Sequence, residues 1–167
     1  KDIREFSTAL NCCGRLGKPS IGIGVCLDNS VLKEKANELL RQYKLEIING
    51  LNWFYANKSN LVHGENFVII NSQASIRDTL IGTITSIVAR SNLYKDGTIL
   101  IGMAHTLDNK IKLSVRGTNH SNSNLVEVMS KVVEGYGEIG GHKDACGGSI
   151  KIEDELKFIS KVKECLG

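Results

Sequence analysis

Aromatic residues are scarce in this chain, 5% of its 167 residues, and Pro19 is the single proline, so any core it builds must be aliphatic. Chains of that kind fold as α/β proteins, with helices covering Val/Ile-rich strands. The five cysteines, Cys12, Cys13, Cys26, Cys146 and Cys165, form no Cys-x-x-Cys pair and no His/Cys cluster at zinc spacing. An odd count without a signal peptide fits a reducing cytoplasm, where such cysteines act as small apolar residues. No apolar run is long enough to span a bilayer, so no membrane role is expected. A formal net charge of +3 is too weak for a protein that coats a duplex, and any nucleic-acid contact should be local. The chain opens on Lys1 without an initiator methionine and reads as a piece of something longer.

What is present is globular: 41% hydrophobic and 23% charged residues, with room for one domain and a smaller attached piece. Asp2 to Leu10 predicts a short helix, and Gly14 and Gly17 argue that Asn11 to Leu16 is a turn. Ile21 to Leu27 is small and apolar and suits close packing. Its Gly22-Ile23-Gly24 invites a dinucleotide-loop reading, but Leu27 stands where the third glycine belongs. From Ser30 to about Asn57, Leu32, Ala36, Leu39, Leu40, Tyr43, Ile47, Leu51 and Phe54 recur at helical spacing, with Asp28, Asn29 and Ser30 as alternative caps and Gly50 as a possible bend. Such a helix is either a linker between two bodies or a core helix of one.

The remainder predicts a compact unit. Phe67 to Ile70 is a buried strand. Ser75-Ile76-Arg77-Asp78 resembles a capping box, with the stripe Ile76, Leu80, Ile84, Ile87 and Val88 behind it. Thr98 to Ala104 is a second strand, Asp108-Asn109 a turn, and Lys110 to Arg116 alternates. Ile111, Leu113 and Val115 should bury, leaving Lys110, Lys112, Ser114 and Arg116 on an open, donor-rich face. Ser123 is placed to cap a helix carrying Leu125, Met129, Val132, Val133 and Tyr136. Ile150 and Ile152 mark a final strand, and a last helix starts at Glu153, Asp154 and Glu155 with lysines behind.

Gly140-Gly141-His142-Lys143-Asp144-Ala145-Cys146-Gly147-Gly148 is the least ordinary segment. Four glycines around one histidine imply positive φ or close approach of backbone to something. A loop of this kind can form an anion-binding nest, with His142 donating to a phosphate or ribose oxygen and Lys143 adding charge. Equally, it can be a plain connection with His142 bonded to a backbone carbonyl. Arg116 has the same two sides: a bidentate phosphate ligand, or a strand-end arginine paired with a surface carboxylate.

Gly140-Gly141-His142 with Ala145 and Gly147 resembles the Gly-Gly-His-x-x-Ala-x-Gly signature of the DHH-associated C-terminal domain. Ser114-Val115-Arg116 resembles that domain's Ser-x-Arg strand, and Ile81-Gly82-Thr83 also looks like the family. Asn11-Cys12-Cys13-Gly14-Arg15-Leu16 is similar to the segment closing the catalytic DHH domain of RecJ-like proteins, and Arg4-Glu5-Phe6 through Leu16 is nearest the archaeal branch. The chain departs from the pattern at Cys146, where alanine is common, and after Arg116, where Thr118 stands in for a serine. The aspartate and Asp-His-His motifs that hold two manganese (or magnesium) ions in this family do not occur in the sequence.

The resemblance implies an α/β fold with a mixed sheet of about five strands and covering helices. It implies residues 1–29 as the end of a DHH domain, 30–62 as a linker helix and 63–167 as a substrate-binding domain. Arg116, His142, Gly140, Gly141, Ser114 and Thr118 would hold substrate phosphate, and Asn11, Gly14 and Arg15 would border the catalytic cleft. No catalytic or metal-binding residue is expected in this chain itself. The implied whole is a cytoplasmic 5′-to-3′ nuclease acting on single-stranded DNA, RNA or short oligonucleotides, with replication-complex proteins as further partners. The rivals are an oligoribonucleotide or nucleotide phosphoesterase and an RNA-binding module like the C-terminal domain of alanyl-tRNA synthetase. His63, His105 and His120 match no family position and read as surface or structural.

Overall fold

A computed structural model describes residues 2–119 and 124–167; His120 and the proposed cap Ser123 lie outside the described residues. The chain divides into two compact units, Lys1–Asn52 and Trp53–Gly167.

The first unit holds α1 (Ile3–Arg15), α2 (Pro19–Cys26) and most of α3 (Ser30–Asn57). Asp2 caps α1 by accepting from Arg4 N at 3.1 Å. The helix does not stop at Leu10, as the glycines had implied. A mid-helix glycine costs only about 1 kcal/mol against alanine, and here Cys12 and Cys13 on the same stretch are buried. The chain turns at Gly17 instead, at φ +69, and Pro19 opens α2, where its missing N–H costs nothing. Gly22 and Gly24 sit inside α2 and form no nucleotide loop. A Cβ on Gly24 would strike Leu32, and one on Gly22 would press Cys13 at 3.3 Å. Cys13, Val25 and Ala36 form the small core there. Of the three possible caps for α3, Asn29 makes the bond, accepting from Leu32 N at 3.0 Å.

The second unit is a six-stranded mixed sheet, one strand more than expected. Its strands are β1 (Val62–His63), β2 (Phe67–Asn71), β3 (Ile99–His105), β4 (Lys110–Gly117), β5 (Gly137–His142) and β6 (Ala145–Lys151), in the order β1-β2-β3-β4-β6-β5. Only β2 and β3 run parallel, and α4 (Asp78–Ala89) connects them, as a parallel pair requires a crossover. α4 packs on β3 and β4, while α5 (Leu125–Val132) lies against β5 and β6 with α6 (Glu155–Leu166) beside it. The main core, including Ile111, Leu113, Val115, Met129, Ile150 and Phe158, fills the space under α5 and α6.

Local expectations fail at three points. No capping box forms at Ser75. Ser72 is buried and ties this segment to Met103 O, Ser75 N donates to Ser72 O in a turn, and the helix begins only at Asp78. Ile87 is 37% exposed and leaves the α4 stripe. Ile152 lies in a short 3-10 turn (Ile152–Asp154) past the end of β6, and α6 starts at Glu155.

Candidate phosphate-binding shelf

The glycine-rich segment is a β-hairpin, not a loop. β5 and β6 pair through Gly137↔Ile150 to His142↔Ala145, with Lys143 and Asp144 as the connecting turn. Glycines that read as loop material are therefore strand residues, and the nest of free amides is replaced by a ladder. Their burdens divide by face. Gly141 has φ +136, and a Cβ there would meet Ala145 O at 2.5 Å; a Cβ on Gly148 would collide with the Glu138 carbonyl. On the other face Gly140 has open space, and Gly147 would touch only Leu113 O. The first pair is demanded by backbone geometry, and the second leaves the surface bare.

Residues directly opposite in an antiparallel ladder point to the same face. Arg116 pairs with Ala145 across β4 and β6, and Ala145 pairs with His142 across β6 and β5. The guanidinium-bearing residue and the imidazole-bearing residue thus share one rung and one face, about 10 Å apart at two strand spacings. The next rung is Ser114, Gly147 and Gly140. Gly140 and His142 are exposed and Ala145 and Gly147 half-exposed, so this side of the sheet is a shelf with an open floor.

The expected open face on β4 is corrected at its Ser114–Arg116 end. Ser114 is buried, 5% exposed, and Arg116 is half-buried, because α4 packs over them. Gly82 lets α4 come close: a Cβ there would stand 3.1 Å from Ser114 Oγ and 3.8 Å from Arg116 Nη2. Arg116 Nε donates to Ser86 Oγ at 2.9 Å, and Ser86 Oγ donates to Gly82 O at 2.7 Å. Nη1 donates to Val115 O and Cys146 O at 2.7 and 3.1 Å. Hydroxyl and carbonyl oxygens thus help to fix the guanidinium. Among the sequence-derived candidates nothing pointed to Ser86, although it lies one helical turn beyond Gly82.

The His142 side chain is 71% exposed. Asp144 N donates to its Nδ1 at 3.3 Å, which leaves the proton of the neutral ring on Nε2 as the available donor. The Asp144 carboxylate is 3.9 Å from Nδ1. Lys143 supplies its carbonyl, which accepts from Leu125 N at 2.8 Å and ties the hairpin turn to the start of α5. Cys146 points into the core, its Sγ donating to Leu125 O at 3.6 Å. Burial pushes its thiol up to about 11, with Arg116 pulling weakly the other way.

Thr118 is not brought to the shelf. It is buried, and its hydroxyl donates to Lys95 O at 2.8 Å. Asn11, Gly14 and Arg15 share a side of α1 by their i, i+3, i+4 spacing; Asn11 and Gly14 are exposed and Arg15 half-exposed. His105 bonds Glu155 at 3.0 Å, and Asn71 donates to the same carboxylate at 2.7 Å, joining two strand ends to α6. His63 Nε2 is 3.2 Å from Lys58 O. Among the described residues, no three His, Cys, Asp or Glu side chains cluster to hold a metal ion. No helix of the described residues is long and apolar enough to cross a membrane.

Comparison with known proteins agrees with this architecture. The chain is 29% identical over its full length to an uncharacterized protein of Methanocaldococcus jannaschii, of which it spans 36%. Its fold is similar to part of RecJ from Thermus thermophilus, solved with Mg2+, at a TM-score of 0.72 and 16% identity over 94% of this chain and 24% of that one. It is also similar to the C-Ala domain of Aquifex aeolicus alanyl-tRNA synthetase, at a TM-score of 0.50 and 16% identity over 64% of this chain and 96% of that one. Identities this low speak for the fold alone. Residues 67–167 match the DHHA1 domain family, and with more than half its length inside that match the chain belongs to it.

Proposed function

We propose that this chain grips the phosphate backbone of single-stranded nucleic acid for a RecJ-like, DHH-type phosphodiester hydrolase of the cytoplasm. The observation that carries this reading is the rung Arg116–Ala145–His142, which sets a fixed guanidinium and an exposed imidazole on one face. A phosphate above Ala145 meets no side chain larger than a methyl group and has charged or polar donors on either side. Gly140 and Gly147 keep the adjoining floor free for the sugar or base. In this reading residues 1–29 are the edge of the catalytic domain, with Asn11, Gly14 and Arg15 toward its cleft, and 30–62 are the link. Hydrolysis, 5′-to-3′ and manganese- or magnesium-dependent, belongs to motifs that this chain does not carry. Single-stranded DNA, RNA and short oligonucleotides are the partners; replication proteins would be additional ones.

The test is fluorescence anisotropy with 5′-phosphorylated single-stranded DNA and RNA, and with a structured tRNA as competitor. The expected result is binding of the single strands, abolished in an Arg116→Met/His142→Ala double variant, and no turnover of either strand with manganese. Preference for tRNA would favour the synthetase-like module, and undiminished binding by the double variant would sink the site.

A further inference from the structure

The shelf does not end at the Arg116 rung. Two rungs along β4, Lys112 pairs with Ser149 and Ser149 with Glu138; one rung further, Lys110 pairs with Lys151. Even spacing on a strand keeps Lys112 on the same face as Arg116, about 13 Å away at four residues of strand rise. A cavity of about 340 Å³ opens at this end, lined by Lys110, Tyr136, Glu138, Ser149 and Lys151. Two of the three lysines are neutralised locally: Lys110 pairs with Asp108 at 3.3 Å and Lys151 with Glu153 at 3.2 Å. Lys112 is exposed and pairs with no carboxylate among the described residues. Between it and Arg116 the floor is Gly147, Gly140 and Ala145, with Ser114 buried beneath α4.

Resting on the function proposed above, we infer that Lys112 and Ser149 form a second backbone-holding position, so that the shelf grips a run of several nucleotides rather than one terminal phosphate. An extended single strand leaving Arg116 over Ala145 and Gly147 of β6, beside the covered Ser114, covers this distance within a few nucleotides. Lys112 supplies the charge and Ser149 a hydroxyl donor to the second phosphate. Glu138, on the outer strand of the same rung, repels that phosphate and confines the backbone to the β4–β6 side. The far cavity receives the next residue of the polymer. No covalent step is involved; the consequence is discrimination by length.

The test compares a 5′-phosphorylated thymidine dinucleotide with an octanucleotide on the 167-residue chain. Lys112→Gln is expected to weaken the octanucleotide about threefold to fivefold, lower its salt slope by about 0.7 and leave the dinucleotide unchanged. Glu138→Gln should change the octanucleotide in the opposite direction. Because both side chains are solvent-facing, circular dichroism of each variant should match the parent. An octanucleotide that binds no tighter than the dinucleotide, or equal loss on both lengths in Lys112→Gln, overturns the second position while leaving the Arg116 site standing. Failure of the parent chain to bind the dinucleotide overturns the Arg116 reading and this inference together.

Discussion

Arg116 donates through Nε to the Ser86 hydroxyl, one of the contacts that position its guanidinium. Ser86→Ala leaves Nε without its partner at 2.9 Å. A hydrogen bond to a charged group contributes about 1.5–3 kcal/mol, part of which solvent recovers at a half-exposed site. The expected outcome is a several-fold rise in Kd for a phosphorylated oligonucleotide with little change in melting temperature. Arg116→Lys should fail nearly as fully as Arg116→Met, since an ammonium cannot reproduce three simultaneous donations to Ser86, Val115 and Cys146. Titration of both variants by anisotropy checks this. Thiol chemistry is set by burial at the same scale. Cys12 and Cys146 are pushed up to about 11 and Cys13 is raised, chiefly by desolvation. At neutral pH these three stay as unreactive thiols, so a maleimide should label exposed Cys26 and Cys165 alone, read by mass spectrometry of the digest.

The β5–β6 hairpin is the element on which the proposed site depends. Gly141→Ala asks a side chain to occupy φ +136 and to meet Ala145 O at 2.5 Å. Strain of that kind costs about 1–3 kcal/mol, and the expected result is a lower denaturant midpoint together with lost oligonucleotide binding. Gly140→Ala, with nothing within 4 Å of the new methyl, should keep the midpoint and alter binding only. Measuring both variants by denaturation and anisotropy separates a glycine the backbone needs from one the ligand needs. The element was also the hardest to read from the sequence. Its period-two pattern is hidden because glycines occupy both faces, Gly140 and Gly147 toward the shelf, Gly141 and Gly148 on the opposite one. β4, by contrast, was legible, since Ile111, Leu113 and Val115 alternate with polar residues and are all fully buried.

Taken whole, the second unit is a three-layer arrangement in which α5 and α6 bury one face and α4 covers only the β3–β4 part of the other. Phe158 is fully buried in the main core. Phe158→Ala should cost about 3–5 kcal/mol, seen as a large fall in unfolding midpoint, whereas substitutions on the uncovered part of the opposite face should be nearly neutral. The weak net charge of +3 limits the electrostatic share of binding to a few phosphates. At about 0.7 in log–log salt slope for each one held, the chain should show a slope near −1 to −2, not the steep dependence of a duplex-coating protein.

Residue chemistry and local period were enough to determine the α/β class, the long helix from Ser30 and the buried strands, and with the family resemblance they singled out Arg116 and His142 for the proposed site. Both an arginine paired with a surface carboxylate and a phosphate-holding one were compatible with Ser-Val-Arg, because strand pairing over long sequence separation is not written in either segment alone. The register Arg116↔Ala145↔His142 brings together residues 26 apart in the chain, and α4 decides that Ser114 is covered and His142 is not. Those outcomes come from packing between distant segments, where burial of one face of each strand selects the pairing, and only the folded chain could decide them.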